Sequence, residues 1–317
     1  MIEYAEIVHY GTIGLVVAVS AVGVGIGQGN ACSSALEAMN RQPQAKKEII
    51  RTAILGTVIS ETAAIIGLVI SVILLFGSNN HTITMPAALA EFGIACAVCI
   101  SSFVIGIVSA MPVQEACFAV ARQPFFNEKI VRFMLITQSV IQTPIIFGFV
   151  IAMFIRNQVS DVHTMVHGLK LLASGLCMGV GTVGPALGLG TFAQTAVRGL
   201  GINRSAYGPL MTFMFVNQAI IETPIIFTLV TALMIIASPA ASPITGVAMI
   251  SAAVCMGFGT LGTGDSAGKT AAAACHQIAI NPAHYQTIAN ASMFCLALID
   301  ACAIYSFLVA MLIILIQ

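Results

Sequence analysis

The chain repeats one segment four times along its 317 residues, and this repetition restricts the fold more than any other feature. The four segments read ISETAAIIG, VIQTPIIFG, IIETPIIFT and LIDACAIYS. Their corresponding positions, which are 81, 80 and 78 residues apart, are Glu61, Gln142, Glu222 and Asp300. Polar turns recur at the same spacing, as NRQPQAKKEII, ARQPFFNEKIV and INPAHYQTI. The repetition predicts four like units packed side by side.

The composition is that of a membrane protein. Hydrophobic residues make up 58% of the chain and charged residues only 8%, whereas about a quarter of the residues of a soluble domain are charged. The formal net charge is zero, so the chain has no basic field for a nucleic-acid partner. Apolar runs long enough to cross a lipid bilayer predict eight helices. We place them near residues 8–38, 49–76, 87–120, 130–155, 168–197, 207–237, 244–275 and 285–316.

Each repeat contains two of these helices, so each crosses the membrane twice and all four copies have the same orientation. The predicted fold is therefore an all-α membrane protein of four tandem transmembrane helical hairpins, arranged as an arc or ring rather than as an inverted repeat. The expected boundaries are 1–80, 81–160, 161–240 and 241–317.

Lys and Arg concentrate in the turns inside the hairpins. Examples are Arg41 and Lys46 in the first turn and Arg122 and Lys129 in the second. The positive-inside rule then predicts cytoplasmic turns, with both termini on the opposite side of the membrane.

Three acids lie in the middle of predicted membrane-spanning helices, at the same repeat position: Glu61, Glu222 and Asp300. An ionised carboxylate there is unfavourable by a few kcal/mol on insertion scales, so such a residue indicates a functional site. The alternative is a carboxyl group that only makes hydrogen bonds between helices. Desolvation favours the protonated form, which suits a group that takes up and releases an ion. Gln142 holds this position in the second copy and cannot ionise.

Other motifs are better explained by structure than by chemistry. The alternating glycines of GVGIGQG predict close helix packing, because no strand precedes them to form a dinucleotide loop. GTGDSAGKT lacks the first glycine of a phosphate-binding loop, since Thr263 stands in its place. Asp265 and Lys269 are instead expected to form an ion pair along one helix. The alternative is that Asp265 is a fourth ion carrier, although it does not lie at the repeat position of the other acids. The nine cysteines, including the pair in CAVC, are interpreted as packing residues rather than zinc ligands or disulfides.

The first repeat, GIGQGNACSSALEAMNRQP followed by ILGTVISETAAIIGLVISVILLF, resembles the c subunit (proteolipid) of the rotary F-type ATP synthase along its whole length. The resemblance rests on a glycine-rich first helix, an RQP turn and a carboxylate about twenty residues later. The whole chain looks like four such subunits fused. Fusion and the loss of one acid are also similar to vacuolar-type proteolipids.

The resemblance implies a rotor ring made of copies of this chain in the lipid bilayer, and the expected location is a bacterial inner membrane. The implied partners are the a subunit of the stator and the subunits of the central stalk. The resemblance implies no active site in the chain itself and no cofactor. Glu61, Glu222 and Asp300 would carry the ion. The turns facing the stalk would contain Arg41, Gln42, Pro43, Arg122, Gln123 and Pro124.

The transported ion is predicted to be H⁺, with Na⁺ as the alternative. Members of the family that carry sodium resemble the first copy in Gln28 and in Thr62 next to the acid Glu61, and oxygen ligands suit this hard cation. The family's Tyr five residues after the acid is Ile66 here. The other copies hold only parts of such a set, namely Gln218, Thr223 and Tyr305.

Two other functions are compatible with the sequence. A secondary transporter built from repeats would use the same acids as coupling groups and would predict broken helices and a substrate pocket. Pro144 and Pro224 instead predict only mild kinks at one repeat position, and the repeats are not inverted. A structural proteolipid without ion coupling is favoured by Gln142 and opposed by the three retained acids.

Overall fold

The computed structural model describes residues 2–77, 84–239 and 242–316, and these residues are almost entirely helical. Within the described ranges there are twelve α-helices. They are α1 (Ile2–Arg41), α2 (Lys46–Ser60), α3 (Thr62–Gly77), α4 (Met85–Val108), α5 (Met111–Arg122), α6 (Asn127–Ile141), α7 (Thr143–Gln158), α8 (Met165–Gly181), α9 (Val183–Ile202), α10 (Tyr207–Ala237), α11 (Pro243–Ile280) and α12 (Tyr285–Ile316).

The twelve helices form eight stretches that are long and apolar enough to cross a membrane. This confirms the eight predicted helices, although the observed stretches extend beyond the predicted ends, as α1 does at both of its ends. Four stretches are interrupted for one or two residues. The interruptions separate α2 from α3, α4 from α5, α6 from α7, and α8 from α9.

Proline explains three of the interruptions. Pro112, Pro144 and Pro185 lie near the starts of α5, α7 and α9, and each lacks the N–H that would continue the helical hydrogen bonds. The carbonyl that Pro185 leaves free, that of Gly181, instead accepts a hydrogen bond from Thr260 Oγ1 at 3.0 Å. Pro224, by contrast, lies inside the continuous helix α10.

The hairpins, numbered 1 to 4 along the chain, form two rows of helices. The first row contains the first helix of each hairpin: α1, α4 with α5, α8 with α9, and α11. The second row contains α2 with α3, α6 with α7, α10, and α12. Short 3₁₀ turns connect the rows at Pro43–Ala45, Pro124–Phe126, Arg204–Ala206 and Pro282–His284. Consecutive hairpins pack against each other through both rows.

Glycines allow the helices of the first row to approach closely. A Cβ atom on Gly27 would collide with the carbonyl oxygen of Gly106, and one on Gly188 would collide with that of Gly264. These contacts confirm that the glycine pattern serves helix packing, since only the missing side chains let the backbones meet.

The two ends of the row of hairpins are exposed. In the most apolar window of the span Pro282–Ile316 only 17% of the residues are buried, against 72% for Met85–Arg122 in the interior of the row. Hairpins 1 and 4 therefore each have one side that no other part of the described chain covers.

Candidate ion-carrying site

The repeat position of Glu61, Gln142, Glu222 and Asp300, here called the carboxylate position, lies within the second row of helices. Two of its residues coincide with interruptions, because Glu61 separates α2 from α3 and Gln142 separates α6 from α7. The four residues share a place in the repeat but differ in their neighbours.

In hairpin 1 the structure brings Glu61 and Gln28 together. Gln28 Nε2 donates a hydrogen bond to Glu61 Oε1 at 3.0 Å, and it also lies 3.4 Å from the carbonyl oxygen of Thr57. Glu61 is exposed. The predicted third member, Thr62, donates its hydroxyl proton to the carbonyl of Ile59 at 2.8 Å.

In hairpin 2 the neutral Gln142 is only 6% exposed. Its Nε2 atom lies 3.4 Å from the carbonyl oxygen of Ile59 in hairpin 1, so it donates across the boundary between hairpins. The amide thus makes a contact that a protonated carboxyl group could also make.

One turn earlier, Gln138 also makes contacts between hairpins 2 and 1. Its Nε2 atom donates to the carbonyl of Gly56 in hairpin 1 at 2.8 Å and lies 3.3 Å from Ser60 Oγ of the same hairpin. It also donates to the carbonyl of Ser109 in its own hairpin at 2.9 Å. The sequence reasoning singled out Gln218 but missed Gln138, which occupies the same repeat position in the previous copy. The repeat itself was the signal that could have identified it.

In hairpin 3 Glu222 is half-buried, and its Oε1 atom has no hydrogen-bond partner in the described part of the chain. Thr143 of hairpin 2 lies beside this carboxylate. Gln218 donates its amide to the carbonyl of Thr137 in hairpin 2 at 3.2 Å, and Thr223 donates to its own helix at Ala219. Gln218 and Thr223 therefore lie near Glu222 but do not form hydrogen bonds with it among the described residues.

In hairpin 4 Asp300 is half-buried, and no described residue provides a hydrogen-bond partner for its Oδ1 atom. Tyr305 is 64% exposed and lies on the uncovered side of the molecule. On the first helix of this hairpin Lys269 Nζ contacts Asp265 Oδ2 at 2.5 Å, which confirms the predicted local ion pair.

The polar turns are the other predicted site. Gln123 Nε2 donates to the carbonyl of Gly201 in hairpin 3 at 3.1 Å, and Asn203 Nδ2 donates to that of Ala279 in hairpin 4 at 3.0 Å. Arg41 pairs with Glu37. The turns thus also join neighbouring hairpins, a role that the sequence did not predict. The other predicted residues of these turns are Gln42 and Pro43 in the first and Arg122 and Pro124 in the second.

A buried His–Glu pair lies near the opposite end of the helices. His9 Nδ1 and Glu91 Oε2 are 2.5 Å apart, and the two residues are 1% and 4% exposed. They join hairpins 1 and 2 within the first row. Sequence reasoning missed this pair because the other copies do not repeat it.

The family model for the C subunit of ATP synthase matches the chain four times, at residues 12–74, 92–155, 172–235 and 250–313. The chain belongs to this ATP synthase family. Each match covers most of one hairpin, so the chain is an eight-span, multi-pass integral membrane protein built from four family units.

Curated relatives agree with this membership. The chain is similar to the ATP synthase c subunit of Clostridium botulinum, with 43% identity over 61 residues that cover 19% of this chain and 77% of the relative. It is 45% identical to the c subunit of Natranaerobius thermophilus over 60 residues, covering 19% of this chain and 70% of the relative. It is 47% identical to that of Alkaliphilus oremlandii over 60 residues, covering 19% and 68%. One such relative is thus about the size of one hairpin of this four-unit family member.

Proposed function

We propose that the chain is a rotor subunit of an ATP synthase or ATPase and that it carries protons on Glu61, Glu222 and Asp300. One observation carries the proposal most directly. Two of these acids, Glu222 and Asp300, have a buried carboxylate oxygen with no hydrogen-bond partner among the described residues. In an apolar span such an oxygen favours a carboxyl group that is neutral for most of its cycle.

Protons suit all three surroundings better than sodium does. A sodium site needs several oxygen ligands around one cation. Glu61 accepts a hydrogen bond from the Gln28 amide, which presents an N–H group instead of an oxygen ligand. A proton needs only the carboxylate itself, so the differences between hairpins do not prevent transport.

Gln142 makes hairpin 2 a neutral member of the rotor. Its amide already donates to the carbonyl of Ile59, and it has no proton to release at physiological pH. Each copy of the chain would therefore move three ions per revolution, although it contributes four hairpins.

Membership of the ATP synthase family supports the proposal that the chain interacts with other subunits. In this proposal copies of the chain form the rotor, a stator subunit exchanges ions with the carboxylates, and the central stalk contacts the polar turns. The turn residues Arg41 and Arg122 would lie on the cytoplasmic side, in agreement with the positive-inside rule.

Carbodiimide labelling of the purified complex tests the carriers, because carbodiimides react with protonated carboxyl groups. We expect peptide mass spectrometry to find labels on Glu61, Glu222 and Asp300 whose extent rises as the pH falls and does not change with sodium. Choline chloride at equal ionic strength is the control for sodium chloride. Glu222→Gln, which copies the natural Gln142, should remove one label and leave the other two.

Each other outcome would change the proposal. Protection of any of the three acids by sodium would replace the proton by sodium at that position. If none of the three acids were labelled, the result would favour a structural proteolipid without ion coupling.

A further inference from the structure

A groove of about 570 Å³ opens between helix α2 of hairpin 1 and helix α6 of hairpin 2, close to the two turns. We call it the α2–α6 groove. Its charged residues include Arg51 on α2 and Arg132 on α6. About one turn further along the same helices, the groove is lined by the aliphatic side chains of Leu55, Leu135 and Ile136. The groove therefore has a charged part and an apolar part.

The two arginines lie where the apolar surface of the second row begins. On α2 the first large apolar side chains that are exposed after Arg51 are those of Ile54 and Val58, at 56% and 57%. The exposed residues before Arg51 on this helix are Lys46 and Lys47. Arg51 is thus at the border between the polar end of the hairpin and the surface that faces lipid tails, a depth at which long basic side chains reach lipid headgroups.

Both guanidinium groups are available to a ligand. Arg51 and Arg132 are exposed, and neither takes part in the ion pairs that the described residues form. Arg156, near the other end of the helices, instead donates to the carbonyl of Gly77. A guanidinium group offers several N–H donors in a planar arrangement that matches the oxygens of a phosphate.

Two acids also line the groove, but they lie on its turn side. Glu48 and Glu128 line a neighbouring cavity formed by the two turns as well, whereas Arg51 and Arg132 do not. Lys47 is the third basic residue of the groove. Three basic side chains against two acidic ones leave a net positive charge, and the arginines hold it on the membrane side.

The pair of arginines is specific to one boundary. Arg51 and Arg132 occupy the same repeat position, where the third copy has Thr212 and the fourth has Asn290, and all four residues are exposed. The boundary between hairpins 1 and 2 thus has two arginines at this depth, the next boundary has one, and the last has none. The fold does not require the pair, since hairpins 3 and 4 form without it.

We infer that the α2–α6 groove binds a phospholipid of net negative charge, with its phosphate on Arg51 and Arg132 and an acyl chain against the aliphatic residues. The lipid belongs to the leaflet on the side of the turns. Basic pockets between transmembrane helices are suited to anionic headgroups, and the apolar part gives the acyl chain a surface that a free phosphate would not use. The site is separate from the carboxylate position, so it does not depend on the proposed ion carriers.

The bound lipid would also stabilise the boundary between hairpins 1 and 2. Arg51 precedes Glu61 by ten residues, or about 15 Å along a helix. An acyl chain that follows the groove from Arg51 therefore runs toward the level at which Gln142 Nε2 donates to the carbonyl of Ile59. The lipid and this hydrogen bond would hold the same two hairpins together.

Native mass spectrometry of the purified complex tests the site with two lipids that have the same acyl chains. Dioleoyl phosphatidylglycerol is anionic, and dioleoyl phosphatidylcholine has no net charge. We expect each chain to retain one phosphatidylglycerol molecule under conditions that remove phosphatidylcholine. Equal retention of the two lipids would overturn the inference.

Arg51→Gln and Arg132→Gln should each weaken the binding of phosphatidylglycerol about fivefold, the usual contribution of one basic residue to the binding of an anionic lipid. Arg204→Gln is the matched control, because it removes one exposed positive charge at the same end of the helices but outside the groove. Unchanged binding in both groove variants, or the same loss in Arg204→Gln, would contradict the site.

A gain of binding tests the site without weakening it. Thr212→Arg places a second arginine beside Arg132 at the boundary between hairpins 2 and 3, where Phe215 and Val216 provide exposed apolar surface. We expect a second retained phosphatidylglycerol per chain, and none from the control Thr212→Gln. A folded Thr212→Arg protein that retains only one lipid would refute the role of the arginine pair.

Glycerol 3-phosphate separates a lipid site from a site for phosphate alone, because it has the phosphate of the headgroup and no acyl chains. We expect it not to displace phosphatidylglycerol at equal concentration. Displacement would show that the aliphatic residues contribute nothing to binding and would overturn the assignment to a lipid.

Discussion

The acids at the carboxylate position have unlike neighbours, although one repeat generates them. Glu61 accepts a hydrogen bond from Gln28, whereas Glu222 and Asp300 each have a buried oxygen without a partner among the described residues. The repeat spacing was sufficient to predict where the acids lie. It could not predict their partners, because residues such as Gln138 act across the boundary between hairpins, and that contact depends on how the hairpins pack.

Gln142→Glu should add a fourth ion carrier. The protonated carboxyl group that this substitution introduces can donate to the Ile59 carbonyl as the Gln142 amide does now, so the fold should tolerate the change. We expect carbodiimide labels per chain to rise from three to four, measured by intact-protein mass spectrometry. Gln142→Leu is the control and should stay at three. A Gln142→Glu protein that folds and gives no fourth label at low pH would refute the view that position alone makes a carrier.

At the scale of helices, apolar length predicted the eight spans and proline governs three of their four interruptions. The eight predicted spans are confirmed, but hydropathy could not locate the interruptions inside them, because local proline chemistry acts within a run whose hydropathy does not change. Pro224 shows that a proline alone does not predict an interruption, since helix α10 continues through it. The interruption at Glu61 has no proline, and nothing in its local sequence predicted it.

Gly188→Val should separate hairpins 3 and 4. The new side chain would collide with the Gly264 carbonyl, and forced overpacking costs about 1–3 kcal/mol or more. We expect the unfolding midpoint in detergent to fall by several degrees. Gly11→Val, at an open glycine, should leave the midpoint within about one degree. Equal midpoints for the two variants would contradict a close approach of the backbones at Gly188.

The whole molecule has a charge asymmetry along the helices, which the sequence also predicted. The turns inside the hairpins hold most of the basic residues, and the structure brings all four turns to one end of the two rows. What the sequence did not specify is which faces the terminal hairpins leave uncovered, because that depends on the order in which hairpins pack.

One cysteine added at either end of the hairpins should establish the orientation of the chain in the membrane. Ser205, in the third turn, and Asp161, between hairpins 2 and 3, are both exposed. We expect a membrane-impermeant maleimide to label Ser205→Cys only from the cytoplasmic side and Asp161→Cys only from the other side. The unmodified protein is the control for its native thiols. Labelling of the two variants from the same side would contradict the hairpin topology.

The continuous chain that links the four hairpins also limits the sizes that an assembly can have. In a ring built from copies of this chain, three of every four lateral contacts would form as one polypeptide folds, and only the fourth would depend on an encounter between molecules. Any ring built solely from this chain would therefore contain a multiple of four hairpins. With three ion carriers in each chain, the number of ions that the ring carries per revolution could then change only in steps of three.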